Sequence, residues 1–261
     1  MRPRVIPTLL IDDGGLVKTV QFKKKTYIGD PINAVRLYND MEVDEIMVMD
    51  ISAVRKKRGP DIPFIREFAS ESFIPLCYGG GISSVHEMDR VFNEGVVKVA
   101  LNHALLQDRT LLREGATKFG SQSVVACMDV KSDLLGRSMV YDYEKKRTLK
   151  LRPEVYAKEL EQEGAGEIFV YSVDRDGMMN GYDVVLIRRV AATVGIPVIA
   201  CGGASEVGDL VMAVQHGAAA AAAGSLFVYQ GKKRGVLINY PTQKELGAAF
   251  REGGTAHSGG E

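Results

Sequence analysis

Pro75, Gly80, Gly81 and Gly95 reappear 122 positions later as Pro197, Gly202, Gly203 and Gly217, and Glu45-Ile46 in DEIMV reappears at the same offset as Glu167-Ile168 in GEIFV. A repeat of that length describes a chain built from two like halves. Through both halves run eight short apolar segments: VIPTLL, EIMVMDI, PLCYGGG, VKVALN, VVACMDV, EIFVYSV, PVIACGG and AAAAAAG. Amphipathic stretches at 33–41, 62–70, 85–94, 109–119, 153–163, 183–194 and 205–215 separate them. Strand-then-helix alternation predicts a parallel sheet covered by helices. An open doubly wound sheet shares the alternation, but two four-strand halves close naturally into a (β/α)8 barrel, the TIM-barrel architecture. The expected boundaries are one barrel over 1–240, with half-barrels at about 1–120 and 121–240, and a C-terminal helix and tail over 241–261. The eighth run, 218–223, is helical by propensity. Its place in the repeat, opposite VVKVAL, makes it a strand, and its small side chains leave room near the barrel axis. The Gly-rich polar stretch 252–261 reads as a disordered tail.

Composition removes several classes of function. Charged residues make up 25% of the chain and balance to a net charge of zero, which argues against a general polyanion binder. MRPRVIPTLL lacks the apolar stretch of a signal peptide, and no segment approaches the roughly 18 apolar residues of a membrane span. A cytoplasmic protein with no nucleic-acid partner and no membrane insertion is expected. Cys77, Cys127 and Cys201 each sit inside an apolar run, in odd number and without zinc-site spacing, so they read as buried thiols. His86, His103, His216 and His257 are scattered. No metal and no cofactor is called for.

A (β/α)8 barrel carries its active site at the C-terminal ends of the strands. Those ends are rich in glycine and small polar residues: Gly79-Gly80-Gly81, Asn102-His103, Gly202-Gly203 and Gly224-Ser225. Glycines let backbone N–H groups approach a phosphate, and a helix start behind them favours its charge. Each pair alone reads as a tight turn. Two such sites related by the repeat, at strands 3/4 and 7/8, suggest a ligand with a phosphate at each end. Asp174-Arg175-Asp176-Gly177 follows strand 6. Asp174 has two readings, an Asx turn or a ligand contact, whereas Asp176 and Gly177 are expected to contact the ligand at the 7/8 site.

Asp129 ends its strand with apolar residues on both sides, as a general acid or base requires. The competing reading is a buried carboxylate tied to a backbone amide. Ring-closing chemistry needs an acid and a base face to face, and the repeat maps Asp129 onto residue 10, which is leucine. At the other strand ends lie Arg4, Glu45, Lys98 and Glu167. Charges at a barrel base are ordinarily solvated or stabilising. Two of each sign at pseudo-fourfold positions also fit a salt-bridged ring across the axis.

Taken together, RVIPTLL, VKTVQF, GDPINA, DEIMVMDIS, YGGGI, VKVALN, FGSQSVV, GAGEI, SVDRDGMMNGYD and CGGAS resemble the HisF family, the cyclase subunit of imidazole glycerol phosphate synthase, over nearly the whole chain. The resemblance implies a barrel docked at its base to a HisH-like glutaminase, with ammonia passing through it to a phosphorylated small molecule at the top. It places Arg4, Glu45, Lys98 and Glu167 on the ring gating ammonia entry, Lys18 on the loop lysine that contacts substrate, and Asp129 on one catalytic aspartate.

Two departures accompany it. Family cyclases read C-L-D-V at the first strand where this chain has Thr8-Leu9-Leu10-Ile11; Asp13 aligns with a second, loop aspartate and Asp12 with a lysine. His103 stands where the family has a threonine. The pattern TLLIDDGGLVKTVQFK with GKKRGVLINYP is similar to HisF-like paralogues encoded with surface-polysaccharide genes, which implies ammonia delivery to a separate sugar amidotransferase that turns an acetamido group into an acetamidino group. Three functions therefore stand open: ammonia delivery for sugar amidation, the cyclase of histidine biosynthesis, and a silent scaffold that activates its glutaminase.

Overall fold

The computed structural model describes residues 2–231 and 233–255. Eight barrel strands follow one another as β1 (Arg4–Asp12), β2 (Ile46–Asp50), β3 (Leu76–Gly79), β4 (Lys98–Leu101), β5 (Val124–Ser132), β6 (Glu167–Ser172), β7 (Val198–Cys201) and β8 (Ala220–Ala223). Each pairs in parallel with its sequence neighbours, and β8 returns to β1 through Arg4↔Ala220 to Pro7↔Ala223. The sheet is thus a closed (β/α)8 TIM barrel with no free edge. The helical propensity of the alanine run loses to ladder pairing on both sides. A run of alanine there leaves the interior uncrowded: Ala220 and Ala222 face the axis beside Ile6, Met47, Cys77 and Phe169.

A main helix follows each strand: α1 (Pro31–Asp40), α2 (Ile62–Glu71), α3 (Val85–Phe92), α4 (Thr110–Phe119), α5 (Pro153–Gln162), α6 (Val184–Ala191), α7 (Val207–Gln215) and α8 (Gln243–Thr255), with short helical turns at His103–Gln107 and Ser225–Val228 directly after β4 and β8. Local chemistry sets several starts. Asp30, Asp61, Ser84 and Asp183 accept hydrogen bonds from first-turn N–H groups of α1, α2, α3 and α6. The outward faces of the strands and the inward faces of the helices share one apolar layer, from Val5 and Tyr38 round to Leu210 and Phe227. A smaller cluster fills the barrel itself.

The repeated glycines have a packing cause. A Cβ on Gly80 would lie 2.6 Å from the Asp50 carbonyl oxygen, and one on Gly202 would lie 2.7 Å from that of Ser172, the residue 122 positions after Asp50. In both halves the turn runs against the preceding strand too closely for any side chain.

Helix α8 reaches Thr255, so 252–255 are helical where composition reads as a tail. Gln215 Nε2 donates to the Gly253 carbonyl at 2.7 Å and anchors this last turn to α7. Residues 256–261, the rest of the expected disordered segment, lie outside the described residues.

Two hairpins at the top of the barrel carry no strong sequence signal. Gly15–Val20 and Lys24–Gly29 continue β1 as an antiparallel pair. Ser138–Asp142 folds back on the end of β5. Among the described residues no helix is long and apolar enough to cross a membrane.

Candidate active site at the mouth of the barrel

A cavity of about 770 Å³ opens at the C-terminal ends of β1 to β6. Gly80, Gly81, Asn102 and His103 line it together with Asp129, and Leu10 lies on the same wall set, as period-two alternation along β1 requires. Leu10 is 2% exposed and Asp129 is 8% exposed. Asn102 Nδ2 donates to Asp129 Oδ2 at 2.9 Å, so a side-chain amide, not a backbone one, ties the carboxylate. Burial pushes the Asp129 carboxyl up to about 7; the Asn102 bond opposes the shift and the charges of Asp176 and Asp142 add to it. At neutral pH such a group both gives and takes protons.

His103 Nε2 lies 3.1 Å from Glu144 Oε2, which turns the imidazole toward the β5 hairpin side of the cavity. Arg58 comes from the loop after β2. Its Nη2 donates to Asp50 Oδ2 at 2.7 Å and its Nη1 faces Asp61, so its place is fixed by two carboxylates.

The second glycine site has a different form. Gly177, Gly202, Gly203, Gly224 and Ser225 enclose about 10 Å³, together with Lys18, Tyr171 and Asp176. Lys18 is 4% exposed, and its Nζ donates to the Thr8 carbonyl at 2.8 Å. Burial lowers its pKa to about 8, against the pull of Asp176 and Cys201. A Cβ on Gly224 would collide with the ammonium. Lys18 is therefore brought to the 7/8 site, away from Asp129's cavity.

Asp176 and Gly177 serve the first hairpin. Thr19 Oγ1 donates to Asp176 Oδ2 at 2.6 Å, the Phe22 N–H donates to the same oxygen at 3.1 Å, and the Tyr171 hydroxyl donates to Oδ1 at 2.8 Å. Gly177 takes φ +68 with the Thr19 carbonyl where a Cβ would be. The Asp174 carboxylate accepts from the Ser132 N–H at 2.7 Å and closes the end of β5. The hairpin turn itself holds Gln21 and Phe22 at φ 51 and 57, an uncommon conformation for such residues. It sets the Phe22 ring edge-on to Tyr171 at 4.9 Å and to Tyr143 at 5.9 Å.

At the base, the four expected charges meet. Arg4 pairs with both Glu45 and Glu167, and Lys98 Nζ lies 3.0 Å from Glu45 and 2.9 Å from Glu167. Opposite charges alternate around the ring, and the two carboxylates hold the pKa values of Arg4 and Lys98 above their ordinary values despite burial. The three cysteines face the barrel interior, with Cys127 at the wall of the cavity and Cys201 at the 7/8 space. They are unpaired and buried, and burial raises each thiol, so they stay protonated. Among the described residues no group of His, Cys, Asp and Glu is placed to hold a metal ion.

Tyr171 and Phe169 were within reach of sequence reasoning, because alternation along β6 from Glu167 points both inward. Arg58, Phe22 and Glu144 were not. They lie on loops and hairpins, where no periodicity reports direction.

A closed barrel with glycine turns and the buried Asp129 carboxylate at its mouth, and an ion-paired base, places the chain among the (β/α)8 barrels. The family of histidine biosynthesis proteins matches residues 4–234. A Pseudomonas aeruginosa protein provisionally named imidazole glycerol phosphate synthase subunit hisF2 is 47% identical over 94% of this chain and 98% of its own. A Leptospira interrogans protein provisionally named imidazole glycerol phosphate synthase subunit HisF is 41% identical over 96% and 99%. The imidazole glycerol phosphate synthase subunit HisF of Alkaliphilus metalliredigens is 40% identical over 87% and 90%. The chain belongs to the HisF family.

Proposed function

We propose that this barrel is the ammonia-handling subunit of a glutamine amidotransferase complex. A HisH-like glutaminase docks at its base, ammonia crosses the Arg4, Glu45, Lys98, Glu167 ring, and the product is an amidated sugar (acetamido to acetamidino) of a surface glycan, made with a sugar amidotransferase. The observation that carries this reading is the contrast between a complete ring and an incomplete acid-base pair. All four ring charges are present and mutually paired, whereas Leu10 occupies the cavity position opposite Asp129. The apolar residues Phe73 and Val97 are exposed just before β3 and β4, at the base beside the ring, and suit a protein partner. Numbered names, hisF2 and hisF3, among the relatives fit an additional copy with its own task.

Ring chemistry supports passage of a small neutral molecule. Each cation touches two carboxylates, so one contact can open while the other still holds the charge. Lys98→Ala and Glu167→Ala are expected to uncouple glutamine hydrolysis from amidation in the assembly reconstituted with glutaminase and sugar amidotransferase. Unchanged coupling in both variants would remove the gated path.

A second reading, the cyclase of histidine biosynthesis, is favoured by one observation: Asp129 sits near neutrality with a fixed Asn102 partner, as an acid-base group needs. The deciding experiment supplies ammonium salts and the ribulosylated aminoimidazole-carboxamide nucleotide to wild type and to Leu10→Asp. Ammonia delivery expects silence in wild type. Turnover in wild type would return the protein to histidine biosynthesis. The scaffold reading differs again, in that blocking the axis with a bulky residue would leave downstream amidation unchanged.

A further inference from the structure

The connections at the two ends of the barrel differ in charge. Those at the base, 41–45, 72–75, 93–97, 120–123, 163–166, 192–197 and 216–219, hold Glu42, Asp44, Glu45, Glu94 and Glu163 and no Lys or Arg. At the mouth, the hairpin segments 13–30, 133–152 and 224–242 hold 12 Lys and Arg among their described residues against 5 Asp and Glu. A chain of zero net charge is thus polarised along its axis. Segment 173–183 at the mouth is acidic, but its carboxylates are engaged: Asp174 by the Ser132 N–H, Asp176 by the first hairpin and Asp183 by the start of α6.

The same three hairpins expose apolar residues beside their basic ones. Leu134 and Leu135 are 105% and 75% exposed between Lys131 and Arg137, Tyr27 is 69% exposed beside Lys24 and Lys25, and the exposed Val236 and Leu237 follow Arg234. The leucines are held in place. Asp133 accepts from the N–H groups of Leu135 and Arg137 at 2.9 and 3.0 Å and pairs with the Arg137 guanidinium. A built turn that presents two leucines to water loses little freedom on binding. The hairpins also adjoin one another: Phe22 of the first meets Tyr143 of the second at 5.9 Å, and both the first and the third bond to segment 173–183, through Gln21 to the Asp174 carbonyl and Arg234 to the Met178 carbonyl.

We propose that this basic, apolar-tipped face docks a protein with an acidic surface, the enzyme that takes up the ammonia. This rests on the ammonia-delivery reading above. Ammonia that has crossed the ring arrives in a cavity open to water, and a partner seated on the hairpins closes it. The basic rim steers an acidic partner to the mouth and away from the acidic base. Leu134 and Leu135 supply the apolar anchor, and the flanking lysines the charged rim around it. An anionic lipid surface shares the charge preference, but Tyr27 favours a protein. A Cβ on Gly15 would lie 2.9 Å from the Tyr27 ring, so the ring lies along its own hairpin and offers a contact face in place of a projecting wedge.

The test is calorimetric titration of the sugar amidotransferase into the complex of the full chain with its glutaminase. Leu134→Ser with Leu135→Ser should weaken binding by about tenfold. Lys24→Glu with Lys233→Glu should weaken it by about fivefold at low salt, and the difference should fade at about 1 M salt, where charges are screened beyond about 3 Å. Glutaminase affinity should stay within about twofold of wild type in both variants. Amidation driven by glutamine should fall in both, and amidation driven by added ammonium salt should persist. Phe73→Ser at the base should leave amidotransferase affinity unchanged. No binding by wild type, equal binding by the hairpin variants, or a loss in Phe73→Ser in their place overturns the assignment. So does binding of wild type to phosphatidylglycerol vesicles that the leucine variant loses while its amidotransferase affinity is unaltered. Hairpin variants that bind normally while Lys98→Ala uncouples would remove this face and leave ammonia delivery standing. Unchanged coupling in the ring variants beside weakened hairpin variants would do the reverse.

Discussion

The two ends of the barrel axis hold buried charge in opposite ways. At the base, two cations and two carboxylates alternate, so each has partners of opposite sign. At the mouth, Asp129 faces leucine and tyrosine with one amide for company. Shared charge stays ionised, and isolated charge is pushed toward its neutral form. One fold keeps the two arrangements apart, at opposite ends of the barrel axis.

The largest effect should come from breaking the ring. Glu45→Ala removes the acceptor common to Arg4 and Lys98 and leaves half-buried cations short of a partner. A loss of about 3 to 5 kcal/mol is expected in urea unfolding. A loss below about 1 kcal/mol would mean that water already screens the ring. At the other end, Leu10→Asp puts a second buried carboxylate across the cavity from Asp129 and should cost about 3 kcal/mol at neutral pH. If cyclase turnover appears in the same variant, the mouth differs from a working cyclase at one position.

Protonation sharpens the contrast. The folded pKa of Asp129, about 7, lies above its unfolded value, so the fold binds the proton more tightly. Its contribution is therefore most favourable at low pH and is lost as pH rises from the unfolded pKa to about 7. Asp129→Asn keeps the acceptor for Asn102 and has no proton to lose. It should gain stability relative to wild type on going from pH 5 to pH 8, on the order of 2 kcal/mol. A pH-independent difference would show that Asp129 is ionised throughout. Smallest of all, Phe73→Ser at the exposed base should change stability by no more than about 0.5 kcal/mol. Its expected effect is on glutaminase affinity, read by titrating one subunit into the other.

The sequence carried the architecture because its signals were local or repeated. Strand-then-helix alternation and the 122-residue offset both hold in the folded chain, and the alanine run is a strand, as its place in the repeat predicts, because ladder pairing on both sides outweighs its propensity. The ring was legible too, since Arg4, Glu45, Lys98 and Glu167 fall at the starts of strands. What sequence reasoning did not reach at the mouth was the packing around each group. Asp176 and Gly177 line the 7/8 space as expected, and the hairpin after β1 also packs on both. Nothing in VKTVQFKKKTYIG states where that hairpin will lie, because its pairing partner is more than 150 residues away in Asp176.

Sequence by itself therefore determined the closed barrel, the place of its charges and the absence of an aspartate at residue 10. Only the tertiary structure decided that one glycine site is open and its repeat-mate sealed. Equivalent backbones fix where a turn goes, but the space in front of it is set by whichever distant side chains pack there; here these are Lys18, Phe22 and Tyr171.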